Sequence, residues 1–351
     1  MTSSSHASTF SRRRVWSTWM VALMSTTSPM AATEAMLEGD LEGGSLSNAR
    51  QVTFASMGFE KAGEGYFSPH GDRIAFQAVP TGAKTYQIYV MDLATKTPKL
   101  VSTGRGACTC AYFRPDGQKM IFASSHGYEL APEEVSAPQV TSKSGRYTWD
   151  LTPGMNIYEA NLDGSGLNQL THGSDYNAEC AYSPDGLSIV FASNRSGSMH
   201  IYTMDRDGSH VRQLTHADDC YNGGPFFSPD GKQIIFRADR EKAHHLQIYV
   251  MDVDGSNERR LTSAEDVAWA PYWHPHGKVI AYTKSMPTPG HYQIYLLNID
   301  TGVEQRLTQS QCFEGLPSFN QAGDQMVWTS RRGRGPCHLF MADFKLPKGL
   351  Y

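Results

Sequence analysis

The chain has 351 residues, a formal charge of −4 and 19% charged residues. This mild acidity gives no support to nucleic-acid binding, which calls for a basic domain. The length suggests two ordinary domains, but a closed repeat ring takes it up as one.

Residues 1–35 read as an export signal. Arg12, Arg13 and Arg14 form a basic start, Val15 to Met24 a short apolar run, and Ala31, Ala32 and Ala35 offer small residues for cleavage. Ser11-Arg12-Arg13 carries a twin-arginine hint. The apolar run is too short to span a bilayer comfortably, so the mature chain is expected to be periplasmic or otherwise exported, with no transmembrane helix. The competing reading is a disordered cytosolic tail. Residues 36–47 read as a flexible lead-in.

From residue 48 to residue 345 the chain repeats. Its clearest unit, Tyr221 to Thr262, has a Ser228-Pro229-Asp230-Gly231 turn, alternating runs at Lys232–Arg237 and Gln247–Asp252, and a closing Arg259-Arg260-Leu261-Thr262. Proline presets the turn, aspartate and glycine suit its later positions, and the alternation is that of half-buried strands. The turn glycine recurs as Gly71, Gly117, Gly186, Gly231, Gly277 and Gly323, at intervals of 46, 69, 45, 46 and 46 residues. A period near 45 with four strands per unit is the signature of propeller blades. The expected fold is therefore all-β, a six-bladed β-propeller of four-stranded antiparallel blades. The one long interval carries about 23 extra residues between Ser124 and Asn156, an insertion at about 125–155 between the second and third strands of blade two.

Arg50-Gln51-Val52-Thr53 matches the fourth strands Asn168-Gln169-Leu170-Thr171 and Arg212-Gln213-Leu214-Thr215, yet no blade precedes it. The last repeat supplies Met326–Thr329 and His338–Met341 but no fourth strand, and residues 346–351 read as a tail. The N-terminal strand is thus expected to complete blade six, closing the ring and removing its open edges, so that ring stability depends on residues 48–54.

In such a blade the loops between strands two and three share a face with the inter-blade loops. That face collects His172 to Glu179, His216 to Gly224, Glu265 to Ala268 and Gln309 to Leu316 around a central channel. Arg195, Arg240, His244, His245, Lys284, His291, Arg331, Arg332 and Arg334 form a basic rim further out.

The Ser-Pro-Asp-Gly turn, the third strands Ile201 to Asp205 and Ile248 to Asp252 (Ile-Tyr-x-Met-Asp) and the Gln-Leu-Thr or Arg-Leu-Thr fourth strands resemble the TolB-type propeller repeat over about residues 48–344. The resemblance implies an exported, non-enzymatic propeller that binds a peptide or protein at its channel mouth. It extends to the propeller alone: the α/β domain ahead of the TolB propeller has no counterpart in the 45 or so residues before the first repeat.

Three chemistries compete for the channel face. Glu64, Asp175, Glu179, Asp219 and Glu314 could hold a hard cation, and His172 and His216, at equivalent repeat positions, could join a transition metal. Histidines on this face also keep open a metal-dependent carbohydrate-active enzyme of the polysaccharide lyase type. The reading adopted is a binding or scaffold module without catalytic residues, resident metal or cofactor, monomeric, and taking a protein or peptide. Its ligand-binding set is Trp149, Asp150, His172, Tyr176, Asn177, Glu179, Arg195, His216, Tyr221, Asn222 and Glu314. The plainer account is that these side chains cap turns and hydrogen-bond between blades, and that Trp149 folds the insertion onto the ring. The six cysteines read as buried free thiols, with Cys108 and Cys110, two apart on one strand, pointing the same way.

Overall fold

The structure, a computed structural model, describes residues 44–128, 151–262, 266–332 and 335–350. Each expected turn forms: the six turn glycines take φ between 69° and 81°, a region that other residues enter at a cost. Each turn joins the first two strands of a four-stranded antiparallel sheet, and there are six such sheets. From blade one to blade six the inner strands are Phe59–Phe67, Cys108–Phe113, Asn177–Tyr182, Asn222–Phe227, Ala268–Trp273 and Glu314–Phe319. The insertion falls where expected, between Lys119–Ser124 and Asn156–Asn161, and residues 129–150 lie outside the described residues.

The N-terminal strand, Leu46–Gln51, begins two residues before the expected propeller boundary at residue 48 and four before Arg50, where the repeat alignment starts, and pairs antiparallel with His338–Phe344. It therefore completes blade six. A repeated contact shows that it is a true fourth strand. In every blade a hydroxyl after the fourth strand accepts the amide of a third-strand residue. The pairs are Ile88 with Ser102, Ile157 with Thr171, Ile201 with Thr215, Ile248 with Thr262, Ile294 with Thr308, and Leu339 with Thr53, at 2.8–3.0 Å. This explains the threonine of the Gln-Leu-Thr motif: it satisfies a buried amide that the short fourth strand leaves without a ladder partner.

The core lies between blades rather than within them. Six clusters of buried apolar side chains each join neighbouring blades. The closing strand serves two of them, with Leu46 and Ala49 between blades five and six and Val52 between blades six and one. The tail is also anchored: Leu350 is buried, and its carbonyl accepts Asn298 Nδ2 at 2.9 Å.

Thr53→Val keeps the shape but removes the acceptor for the Leu339 amide. It should lower stability by about 1–3 kcal/mol, the cost of a buried unsatisfied donor. Urea melts should show a lower midpoint at unchanged slope, and Thr53→Ser should recover most of the loss.

Candidate functional site

Every inner strand carries a β-bulge at one level, visible as a register shift against its neighbour. The bulged residue takes a left-handed conformation in all six blades: Glu64, Cys110, Glu179, Gly224, Ala270 and Leu316, with φ between 50° and 57°. Five of these are not glycine, at a cost on the order of 1–3 kcal/mol each, and such strain tends to gather at functional sites. Pro225, Pro271 and Pro317 follow three of the bulges, where a strand tolerates the missing amide donor.

Two residues further along, Tyr66, Tyr112, Phe226 and Tyr272 meet on the axis. Blades one and four face each other across a six-membered ring, as do blades two and five. The rings of Tyr66 and Phe226 lie 5.7 Å apart, and the Tyr112 and Tyr272 hydroxyls lie 3.2 Å apart. The other ring pairs are 5.1–5.8 Å apart, ordinary aromatic packing. The axis is therefore closed by an aromatic floor, and the open channel expected from the repeats is a pit. Above the floor, Glu64, Cys110, Leu316, Trp269 and Tyr221 all retain partial exposure, so solvent reaches the axis at the level of the bulges.

The polar wall of this pit centres on Arg237, from the second strand of blade four. Its backbone pairs with Gly223, and its guanidinium occupies the space that a side chain on Gly224 would fill. Arg237 Nη2 lies 3.1 Å from Glu179 Oε2, with both side chains under a tenth exposed. Tyr221 Oη donates to Glu179 Oε1 at 2.6 Å and accepts from Arg237 at 3.0 Å, while the Gly224 amide donates to Glu179 Oε2. Burial works against the Arg237 charge, but Glu179 and Tyr221 outweigh it and hold its pKa above the usual guanidinium value. Glu64 faces this group without an arginine of its own. Burial raises its pKa above the ordinary carboxylate value; hydrogen bonding from Cys110 and the charge of Arg237 offset part of the rise, and Glu179 adds to it. Burial likewise pushes the Cys110 thiol well up.

Of the residues singled out from sequence, the structure brings Glu179 and Tyr221 together. Tyr176 is buried beside them, and its amide is held by Asn194 Oδ1 at 2.8 Å. Glu64, named there as a cation ligand, stands across the axis. Asn177, Asn222 and Glu314 play a framework part. Arg195 donates to Asn177 Oδ1 at 2.6 Å, Arg240 to Asn222 Oδ1 at 2.7 Å and Arg332 to Glu314 Oε1 at 2.6 Å. Each arginine also lies over aromatic rings of its own blade, Arg195 over Phe191 and Tyr202, Arg240 over Phe236 and Tyr249, Arg332 over Trp328 and Phe340. These three are therefore turned into their blades instead of forming a free basic rim. His172 and His216 are exposed. Trp149 and Asp150 lie outside the described residues. Among the described residues no group of three His, Cys, Asp or Glu side chains is placed to hold a metal.

The cysteines are all free, but only Cys108 and Cys180 are buried as expected; Cys110, Cys220, Cys312 and Cys337 keep partial exposure. Cys108 and Cys110 do not share surroundings: Cys108 is buried against Ser124 Oγ at 3.1 Å, whereas Cys110 occupies the bulge beside Glu64. The bulge breaks the strand alternation between them. Arg237 and the aromatic floor were not foreseen. An arginine within an apolar second strand, opposite Gly223-Gly224, was the available signal.

The fold and its closure define a six-bladed propeller with a blind axial pit. The TolB beta propeller domain model matches residues 134–266 and 200–289, and the ring is TolB-like in repeat and in fold. Among solved structures, TolB from Acinetobacter baumannii matches with TM-score 0.59 and 23% identity over 79% of this chain and 65% of that one. A protein described as TolB from Agrobacterium tumefaciens matches with TM-score 0.56 and 22% identity over 82% and 91%. An oligogalacturonate lyase in complex with manganese matches with TM-score 0.55 and 19% identity over 82% and 77%. At these identities the likeness is one of fold, which many activities share.

Two outcomes test the pit. Arg237→Ala strands the Glu179 carboxylate and should cost about 3–5 kcal/mol. Gly224→Ala should also destabilise, but much of its penalty should vanish in the Arg237→Ala background, because the clashing guanidinium is gone; a double-mutant cycle in urea reads this. The second concerns pH. The folded protein holds the Glu64 proton more tightly than the unfolded chain, so the stability this group gives is full below its ordinary value of 4.5 and lost as pH rises through the folded value. Glu64→Gln should therefore gain in melting temperature relative to wild type as pH rises above 4.5.

Proposed function

We propose that the chain is an exported, non-enzymatic binding module that takes a peptide or a protein loop on the mouth face of its ring. The observation that carries this reading is the axial pit. It is reached by solvent, floored by aromatic struts and walled by groups already fixed by hydrogen bonds, so that a side chain inserted from a partner meets a preset surface and little freedom is lost. Loops on rigid scaffolds commonly carry binding residues, and His172 and His216 stand on the loops around this mouth. Trp149 and Asp150 belong to the proposal by sequence alone. Export rests on the pattern of residues 12–35; no helix among the described residues is long and apolar enough to cross a membrane.

A second reading, a metal-dependent carbohydrate lyase using the same face, draws on the fold shared with the oligogalacturonate lyase. Elemental analysis paired with melts in chelator separates the two. The binding module predicts no stoichiometric metal and an unchanged melt, whereas bound metal with turnover of acidic oligosaccharides would establish the lyase.

Selection of a random peptide library on the immobilised protein tests the first reading directly. Selected peptides should lose affinity at least about tenfold to Trp269→Ala at the mouth, a loss of about 1.4 kcal/mol. Peptides indifferent to the mouth would refute it.

A further inference from the structure

At the level of the bulges, the axis has two unlike halves. Blades one to four supply Glu64, Cys110, Glu179 and Arg237, while blades five and six supply Ala270 and Leu316. Beside this apolar half, Trp269, Tyr292 and Phe313 form an aromatic cluster with ring centroids 5.7–6.2 Å apart. The charge is also unbalanced. Arg237 is the one cation at this level among the described residues, and it is bound to Glu179. Glu64 makes no ion pair among the described residues; its immediate donors are the Tyr66 hydroxyl at 3.2 Å and the Cys110 thiol, both neutral. This level therefore holds one more carboxyl group than cation. Keeping Glu64 ionised there is unfavourable unless an opposite charge joins it.

We propose that the pit receives a protonated primary amine on an apolar stem, the side chain of a lysine carried on a partner's loop. Its ammonium sits on Glu64, and its methylenes lie against Leu316 and the Trp269 side of the mouth. This specifies the mouth-face reading above and rests on it. Lysine suits the site better than arginine. Glu64 Oε1 already accepts from the Tyr66 hydroxyl, and the carboxylate also takes the Cys110 thiol, so a planar guanidinium does not find both oxygens free for its fork. A compact ammonium needs only one acceptor and brings a long stem that packs on apolar surface. The fold already shows the same solution internally, where Arg237 enters through the space left by Gly224 to meet Glu179.

The probes are Nα-acetyl-lysine methylamide, its Nζ-acetylated derivative and Nα-acetyl-arginine methylamide, followed by saturation-transfer NMR on the full chain. The lysine probe should bind saturably, with a dissociation constant on the order of 1 mM, and the other two at least about tenfold more weakly. Glu64→Gln should weaken the lysine probe by about the same factor while its melt confirms that it is folded. Equal binding by the acetylated probe, equal binding to Glu64→Gln, or no saturable binding to wild type would overturn the proposal. So would displacement by calcium chloride at equal charge concentration, which would assign the site to inorganic cations. Peptides that depend on Trp269 but neither contain lysine nor respond to Glu64→Gln would sink this inference and leave the binding module standing. Failure of the peptide selection would remove the reading on which it rests.

Discussion

The structure depends on one constraint: no blade owns its core. The large buried side chains of each sheet, such as Phe76, Phe122, Phe191 and Phe236, pack in clusters shared with a neighbouring blade. A blade with one neighbour would leave an apolar face in water, so the sixth must return to the first. The segment that achieves this comes from the far end of the chain, with Asn48 hydrogen-bonded to Asp343 across 295 positions. Contacts this distant in sequence form late and slow folding.

The same architecture makes the site. Six strands converging on an axis cannot all present full side chains there, and each relieves the crowding with a bulge. The bulges then differ in what they carry. Glycine in blade four leaves a gap, the gap admits Arg237 from the second strand, and Arg237 allows Glu179 to be buried as a charge. Glu64 has no such provision, and its raised pKa is the electrostatic trace of that difference. A single repeat position thus yields an ion pair on one side of the axis and, on the other, a carboxyl group whose donors are neutral.

What could be read in advance followed from local chemistry. Turn geometry is written in Ser-Pro-Asp-Gly, blade number in its recurrence, and ring closure in Arg50-Gln51-Val52-Thr53, whose threonine makes the same bond as Thr171 and Thr215. Glu179 and Tyr221 were also legible, because inter-blade loops must lead to the axis. Other features were set by contacts that no local pattern encodes. Alternation predicts that Cys108 and Cys110 point alike, but the bulge adds a residue between paired positions and undoes the count. Asn177, Asn222 and Glu314 look like free polar groups at a loop end, yet each has an arginine some 18 residues later that folds over its own blade. The aromatic floor joins opposite blades, and nothing in Tyr112 alone announces Tyr272, 160 positions away.

That floor also bears on how the ring deforms. A propeller with an empty bore can widen or narrow as its blades slide outward or inward together. Here Tyr66 against Phe226 and Tyr112 against Tyr272 span the bore like crossed spokes, each pair tying blades that are not neighbours. Uniform dilation would break both ties at once, whereas tilting of individual blades would bend them without breaking them. Strain introduced at the mouth is therefore expected to travel as a tilt, lever-like, toward the Ser-Pro-Asp-Gly turns on the opposite face. The two faces of the disc would then be mechanically linked even though nothing passes between them.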